Sequence, residues 1–187
     1  RETILDEAGR LLREKGPSAV SMRAIARELG YSPAALYEYF PGIDDILAAL
    51  YFEGVDGLDG RMRNALSGLD PHIPAIDEIL ELGRAYRTYA HSQPELFRLQ
   101  FSENKPSPKA HEMDGTRPGY GLLVHAIEKA LAAGEIIDGP VQVLAVHCWS
   151  AVHGFVALEN SSHIQAENND ELFELMLQFV KRALTKA

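Results

Sequence analysis

Apolar residues recur along this chain with the spacing of amphipathic α-helices. Near the start, one apolar helix face consists of Ile4, Leu5, Ala8, Leu11 and Leu12. Gly16-Pro17 predicts the end of this helix, because glycine suits the position after a helix and proline cannot continue one. The pattern over the whole chain predicts about nine helices and no convincing pair of strands.

Two short helices with clear end signals follow. Ser21 is placed to cap a helix over residues 22–29, which Gly30 ends. Ser32 is placed to cap a third helix, in which Pro33 takes the first helical position. A helix, a tight glycine-containing turn and a second helix form the helix-turn-helix arrangement, whose second helix enters the major groove of DNA.

Longer helical patterns fill the rest of the chain. We expect the third helix to end at Pro41-Gly42. A fourth helix is expected over 43–69, and a break in the helical pattern over 70–74. Further helices are predicted around 76–89, 95–101, 122–133, 140–158 and 169–186. Residues 102–118 contain three prolines and little periodicity, which predicts a loop.

Residues 140–158 contain no Asp, Glu, Lys or Arg. A run of this length has to be considered as a membrane span. Its polar side chains, such as Gln142 and Ser150, are poor neighbours for lipid, and the chain has no second candidate span. We therefore expect a helix buried on nearly all sides, and no membrane partner.

Charge limits the kinds of partner. The chain has 187 residues and a net charge of −9, which argues against a protein that coats polyanions but allows a local nucleic-acid site. Residues 1–42 carry six basic and six acidic side chains, so we infer that a basic arm before Arg1 supplies part of any DNA affinity. The single cysteine, Cys148, excludes a disulfide within the chain and indicates a reducing, cytoplasmic setting.

The segment SMRAIARELGYSPAALYEYFPG, residues 21–42, resembles the DNA-binding signature of TetR-type transcriptional regulators. The Ala-Ile-Ala core, the Gly-Tyr-Ser-Pro turn and the Leu-Tyr-x-Tyr-Phe helix all occur in register. HCWSAVHGF, residues 147–155, resembles a Trp-His-Gly signature in the C-terminal part of one subgroup. The resemblance implies an all-α fold, with a helix-turn-helix DNA-binding domain over 1–45 and a ligand-binding and dimerisation domain over 46–187.

The resemblance also implies a set of DNA-binding residues. They are Ser21, Arg23, Ser32, Pro33, Ala34, Tyr37 and Glu38. Ala34 can offer its methyl group to thymine and Glu38 can accept a hydrogen bond from cytosine, whereas the other five are expected at phosphates or the DNA backbone. Tyr39 is expected to support the unit. Ile43 stands where the family often has a phosphate-binding lysine.

The larger C-terminal part is expected to bind a small molecule and to dimerise. The candidate pocket residues are Tyr86, His125, His147 and Trp149, each of which could instead belong to ordinary core or dimer packing. Ser150, Ala151 and Gly154 form a stripe of small residues that would let another helix approach closely. With the last helix, this stripe predicts a four-helix dimer interface.

No pattern of catalytic or metal-binding residues is present in the sequence. His147, Cys148 and His153 do not have the spacing of a structural zinc site, and Cys148 has the surroundings of an inert thiol. We expect no enzyme activity and no cofactor. The leading hypothesis is a homodimeric repressor that binds a pseudo-palindromic double-stranded DNA operator and responds to a small-molecule effector, with activation left open. The alternative is an all-helical small-molecule-binding protein or enzyme with a vestigial DNA-binding head.

Overall fold

The structure, a computed structural model, describes residues 1–101, 118–164 and 167–186. Within these ranges the chain forms nine α-helices, a short 3₁₀ helix at Pro17–Ala19 and no named strand. The helices are α1 Glu2–Lys15, α2 Met22–Leu29, α3 Pro33–Tyr37, α4 Ile43–Ser67, α5 Ala75–Ser92, α6 Pro94–Phe101, α7 Pro118–Ala132, α8 Val141–Asn160 and α9 Asn169–Leu184. The predicted all-α fold is confirmed, while the loop predicted over 102–118 lies outside the described residues except for Pro118.

Helix ends follow the local chemistry of the sequence. The Ser21 hydroxyl accepts a hydrogen bond from the backbone N–H of Ala24 at 3.2 Å, and the Ser32 hydroxyl accepts one from Ala35 at 3.3 Å. Each serine thereby satisfies a donor that the first helical turn leaves unpaired. Gly30 has a φ of 71°, a left-handed conformation that costs glycine little, and it ends α2 as predicted. The third helix is shorter than expected, because α3 ends at Tyr37 and a turn leads to Phe40.

The described residues group into two compact units. The first consists of residues 1–57 and 93–101, and the second of residues 58–92, 118–164 and 167–186. The helix α4 is continuous and contributes to both units. The division at 45 and 46 expected from the family resemblance stays a prediction.

The N-terminal unit is held by a small apolar core. Fully buried Ile25 of α2 and Leu36 of α3 fix the two helices of the helix-turn-helix, and Phe40 and Ile46 close the core behind them. Because interiors are close-packed, this contact sets the angle between α2 and α3. The sequence pattern therefore buries one face of each helix and leaves the opposite face to solvent.

The second unit packs α5, α7, α8 and α9 around a larger core. Ile79, Ile127, Ala145 and Val180 are among its buried residues. The Glu135 carboxylate accepts a hydrogen bond from the backbone N–H of Ile76 at 2.9 Å, which caps the start of α5 from a segment distant in sequence.

The expectation that residues 140–158 are buried on nearly all sides is wrong. In α8, Val143, Val146 and Leu158 are 47%, 44% and 48% exposed. The helix has the length and apolar composition that could cross a membrane, but one face is packed in the second unit through residues such as Leu144 and Val156. The absence of charge in a helix does not say which molecule covers it, and this chain covers only one side.

Candidate nucleic-acid interface and internal cavity

All the predicted DNA-binding residues lie at the surface of the N-terminal unit. Ser21 and Arg23 lie at the start of α2, Ser32, Pro33 and Ala34 at the start of α3, and Tyr37 and Glu38 at its end, and each of the seven side chains is exposed. Ile25 and Leu36 are buried in the same core, so α2 and α3 each leave the opposite face to solvent. A surface of this kind can meet both phosphates and base edges.

Arg23 differs from most of the other cations of the N-terminal helices. Arg10 forms ion pairs with Glu7, Glu14 and Glu28. Its hydrogen bond is the main cause that lowers the pKa of Glu7. Arg23 is exposed and forms no ion pair within the part of the chain that the structure describes. A cation without a carboxylate partner is available to a phosphate.

The remaining cations of this surface are partly neutralised. Arg13 lies 3.9 Å from Glu53, Lys15 lies 3.8 Å from Glu28, and Arg27 lies 3.3 Å from Glu28. These exposed pairs contribute little stability. They do lower the positive charge that would attract DNA, which makes Arg23 more important to any phosphate contact.

Three tyrosines are exposed around α3. Tyr31, Tyr37 and Tyr39 are 55%, 56% and 53% exposed. The expectation that Tyr39 supports the unit is not met, because its ring lies outside the core that Phe40 occupies. Tyr31 and Tyr39 therefore lie on the exposed surface together with the predicted residues.

A second candidate site is an apolar cavity inside the second unit. It has a volume of about 30 Å³, room for roughly two water molecules. From α5 it is lined by Ile79, Leu80, Leu82, Gly83 and Tyr86, and from α8 by Cys148, Trp149 and Val152. Met62, Leu123, Leu177 and Val180 complete the lining. Two of the four predicted pocket residues, Tyr86 and Trp149, are thus brought together here.

Two residues of the cavity wall, Tyr86 and Trp149, form a polar cluster with His153, which is outside the lining. The Tyr86 hydroxyl lies 2.8 Å from His153 Nδ1, and the Trp149 and His153 rings are 5.8 Å apart between centroids. Burial raises the pKa of Tyr86, which a hydrogen bond with Trp149 opposes. Burial also lowers the pKa of His153. Both side chains are therefore neutral at pH 7.

His125 and His147 do not line this cavity, so their role in ligand binding stays a prediction. His125 is exposed on α7, with its Nδ1 atom 3.8 Å from Glu128, and His147 is exposed on α8. The helical period explains the position of His147, which precedes the inward-facing Cys148 and therefore points away from the core. His153, four residues after Trp149, is the histidine that contacts the cluster. The i, i+4 spacing was the signal that could have identified it.

Cys148 lies in the cavity wall as a buried free thiol. Burial raises its pKa to about 11, so it is protonated at neutral pH and a poor nucleophile. Within residues 1–101, 118–164 and 167–186 there is no group of three or more His, Cys, Asp and Glu side chains that could hold a metal ion.

The second unit also presents an exposed apolar surface on α8 and α9, which we call the outer face. It consists of Val143, Val146, His147, Ser150, Gly154 and Leu158 on α8 and of Leu172, Leu175 and Phe179 on α9. Phe179 is 72% exposed. A Cβ atom built on Gly154 would meet nothing within 4 Å in this chain. These residues recur every three or four positions, so they form one stripe along each helix.

Two family models match the chain. Residues 4–50 match "Bacterial regulatory proteins, tetR family", and residues 79–180 match "Tetracyclin repressor-like, C-terminal domain". The second match alone covers more than half of the chain. The chain belongs to the tetR family, and its fold and family identify a DNA-binding transcriptional regulator.

A curated relative supports this class. An uncharacterized HTH-type transcriptional regulator of Mycobacterium tuberculosis is 25% identical over 182 residues, which cover 95% of this chain and 78% of the relative. Further HTH-type regulators of mycobacteria match over 138 residues, so the chain spans 58% of the length of those relatives.

Solved structures share the fold. A Rhodococcus sp. RHA1 protein with unknown function has a TM-score of 0.87 and 25% identity, with 99% of this chain and 95% of that chain covered. A regulator from Saccharomonospora viridis in complex with choline has a TM-score of 0.78 and 20% identity, with 100% of this chain and 97% of that chain covered. At this identity the second likeness concerns the fold alone.

Proposed function

We propose that this chain is a ligand-responsive repressor that binds a pseudo-palindromic operator as a homodimer. The observation that carries the proposal is the pairing of an exposed helix-turn-helix surface with a separate outer face of exposed apolar residues. One recognition helix reads one half-site, and a symmetric dimer reads two. The reducing interior of a bacterial cell is the proposed location.

In this proposal, different residues contact the DNA backbone and the bases. Arg23, Tyr37 and the Ser21 hydroxyl bind phosphates, while Ser32 and Pro33 approach the backbone at the start of α3. Ala34 and Glu38 face the base edges. Phosphate contacts supply affinity and fix the register, and the few contacts with bases supply the sequence preference.

The outer face supplies the dimer. Large exposed apolar residues such as Leu175 and Phe179 are unfavourable in water. Gly154 and Ser150 leave space beside α8, so a second α8 can approach closely. Two copies of α8 and α9 would then form a four-helix interface, and the same surface of each copy would meet its counterpart. A Trp-His-Gly subgroup membership, carried by Trp149, His153 and Gly154, is part of this proposal.

The cavity supplies the effector site. Met62 lies in its wall and also belongs to α4, the helix that is continuous with the N-terminal unit. An effector that displaces Met62 shifts α4, and through it the DNA-binding surface. Such a ligand lowers operator affinity only if it prefers the conformation that does not bind DNA.

The variant Phe179→Glu tests whether the chain dimerises through the outer face. Two buried glutamates would face each other across the interface, so we expect the variant to sediment as a monomer and to lose at least tenfold in operator affinity. The matched control is Gln178→Glu, which adds the same charge one position away on α9. A variant that stays dimeric, or a monomer that binds the operator as tightly as the wild type, would contradict the proposal.

A further inference from the structure

We infer that the cavity of the second unit takes a neutral, largely apolar small molecule and rejects both anions and cations. This inference names the effector class of the proposed function and rests on it. It is carried by the chemistry of the cavity wall, by the pairing of the charges beside it and by the Tyr86–His153 hydrogen bond.

None of the described residues in the cavity wall carries an ionised side chain. Among the described residues that line the cavity there is no Asp, Glu, Lys, Arg or His, and the hydrogen-bonding side chains are those of Tyr86, Trp149 and Cys148. A charged ligand would leave its hydration shell without gaining a counter-ion, which costs several kcal/mol. An apolar ligand gains free energy from the same transfer.

Two cations on α5 that adjoin lining residues are already engaged. Arg84 and Arg87 follow the lining residues Gly83 and Tyr86 on α5. Arg84 makes two hydrogen bonds of 2.8 Å with Glu174, and Arg87 contacts Glu159 at 2.6 Å and 2.9 Å. A ligand carboxylate would have to compete with these carboxylates, so the arginines do not make the cavity a site for anions.

The Tyr86–His153 pair selects a neutral polar group. The two side chains are 2.8 Å apart, and burial favours the neutral form of each. A neutral imidazole can act as donor or acceptor according to its tautomer. A ligand hydroxyl or carbonyl can therefore exchange a hydrogen bond with Tyr86, which lines the cavity, and the neutral His153 bonded to Tyr86 adds no charge that would attract an ion.

The size of the cavity requires a small ligand that widens it. A Cβ atom on Gly83 would lie 3.0 Å from Leu177 and 3.3 Å from Val152, so the wall has no spare space beside α5. A flexible methionine such as Met62 is a side chain that can move. A compact, branched and neutral molecule meets these requirements.

The test uses the fluorescence of Trp149, the only tryptophan of the chain, which lies in the cavity wall. The probes share one shape and differ in charge: 3,3-dimethylbutan-1-ol is neutral, choline is its cationic counterpart, and 3,3-dimethylbutanoate is an anion. We expect the alcohol to change the Trp149 emission in a saturable manner, and the charged probes to bind at least tenfold more weakly. Choline or the carboxylate binding as tightly as the alcohol, or no saturable binding of the alcohol, would overturn the inference.

Variants locate the binding in the cavity. Val152→Ile adds a methylene group to the wall and should weaken binding of the alcohol roughly tenfold. Val55→Ile adds the same group to α4 within the N-terminal unit, outside the cavity wall, and should leave binding unchanged. Equal binding by both variants would contradict the assignment. Because the measurement contains no DNA, a failure of operator binding leaves its result intact, and its failure leaves the DNA-binding proposal to be judged separately.

Discussion

Single side chains decide which part of the N-terminal surface can hold DNA. Arg10, Lys15 and Arg27 each face Glu28, whereas Arg23 forms no ion pair among the described residues. Residues 1–42 are formally neutral, so their net charge alone would not attract a polyanion. The ion pairs of Glu7, Glu14 and Glu28 engage other cations and leave Arg23 exposed at the start of α2.

Arg23→Ala should weaken binding to all DNA sequences by a similar factor, about tenfold for each DNA-binding unit, because a phosphate contact is lost. The slope of log affinity against log salt concentration should become shallower by roughly one for each unit. Titrations at several salt concentrations measure both effects. Arg61→Ala is the matched control, since Arg61 is exposed and outside the N-terminal unit. A change in base preference for Arg23→Ala would show that Arg23 does not bind a phosphate.

At the scale of the helices, polar networks lock α5 to α8 and α9. Arg87 on α5 binds Glu159 of α8 and Asp170 of α9, and its guanidinium lies 4.8 Å from the centre of the Phe173 ring. His91 Nε2 also lies 2.8 Å from Glu159. Arg87 and Glu159 are only 12% and 7% exposed, so this pair counts for more than a surface ion pair.

This network predicts that the free energy of unfolding depends on pH in the acid range. The hydrogen bond from Arg87 is the main cause that lowers the pKa of Glu159 in the folded protein. Because the pKa of Glu159 is lower in the folded protein than in the unfolded chain, its ionised carboxylate stabilises the fold. This contribution is present above the unfolded pKa of roughly 4.3 and is lost as the pH falls through the folded pKa. Glu159→Gln should remove this contribution and cost about 2 kcal/mol at pH 7, since Asp170 still faces Arg87.

Denaturant unfolding between pH 3 and pH 7 measures the prediction. The free energies of unfolding of the wild type and of Glu159→Gln should become equal as the pH approaches 3. Glu167→Gln, at an exposed position, should match the wild type at every pH. A constant difference between wild type and Glu159→Gln at every pH would contradict the assignment to ionised Glu159.

The sequence predicts the elements of this fold better than the contacts between them. Ser21, Gly30 and Ser32 act through neighbours close in sequence, so their roles are readable from the chain. His153, the hydrogen-bond partner of Tyr86, is 67 residues away in the sequence, and no local pattern predicts this contact. The sequence alone does not show that His147 lies outside the cavity wall, since the face of α8 that is buried depends on α5, α7 and α9 packing against it.

At the scale of the whole molecule, two apolar surfaces on opposite sides of α8 account for the absence of charged residues over 140–158. One face of α8 carries Cys148 and Val152 into the cavity wall, and the other carries Val143 and Val146 to the outer face. The stretch 140–158, which has no charged residue, serves both surfaces at once. We expect the acidic net charge of the chain to limit non-specific contact with DNA and to leave recognition to the few residues of the helix-turn-helix.

The central claim is sequence-selective DNA binding by a dimer, and one measurement tests it most directly. A double-stranded site selected by the protein from a random pool, and a scrambled site of equal length, are titrated with the chain at several salt concentrations. We expect a pseudo-palindromic consensus, an affinity at physiological salt at least roughly a thousandfold higher than for the scrambled site, and a steep negative salt slope. Equal affinity for the two sites at every salt concentration would contradict the account.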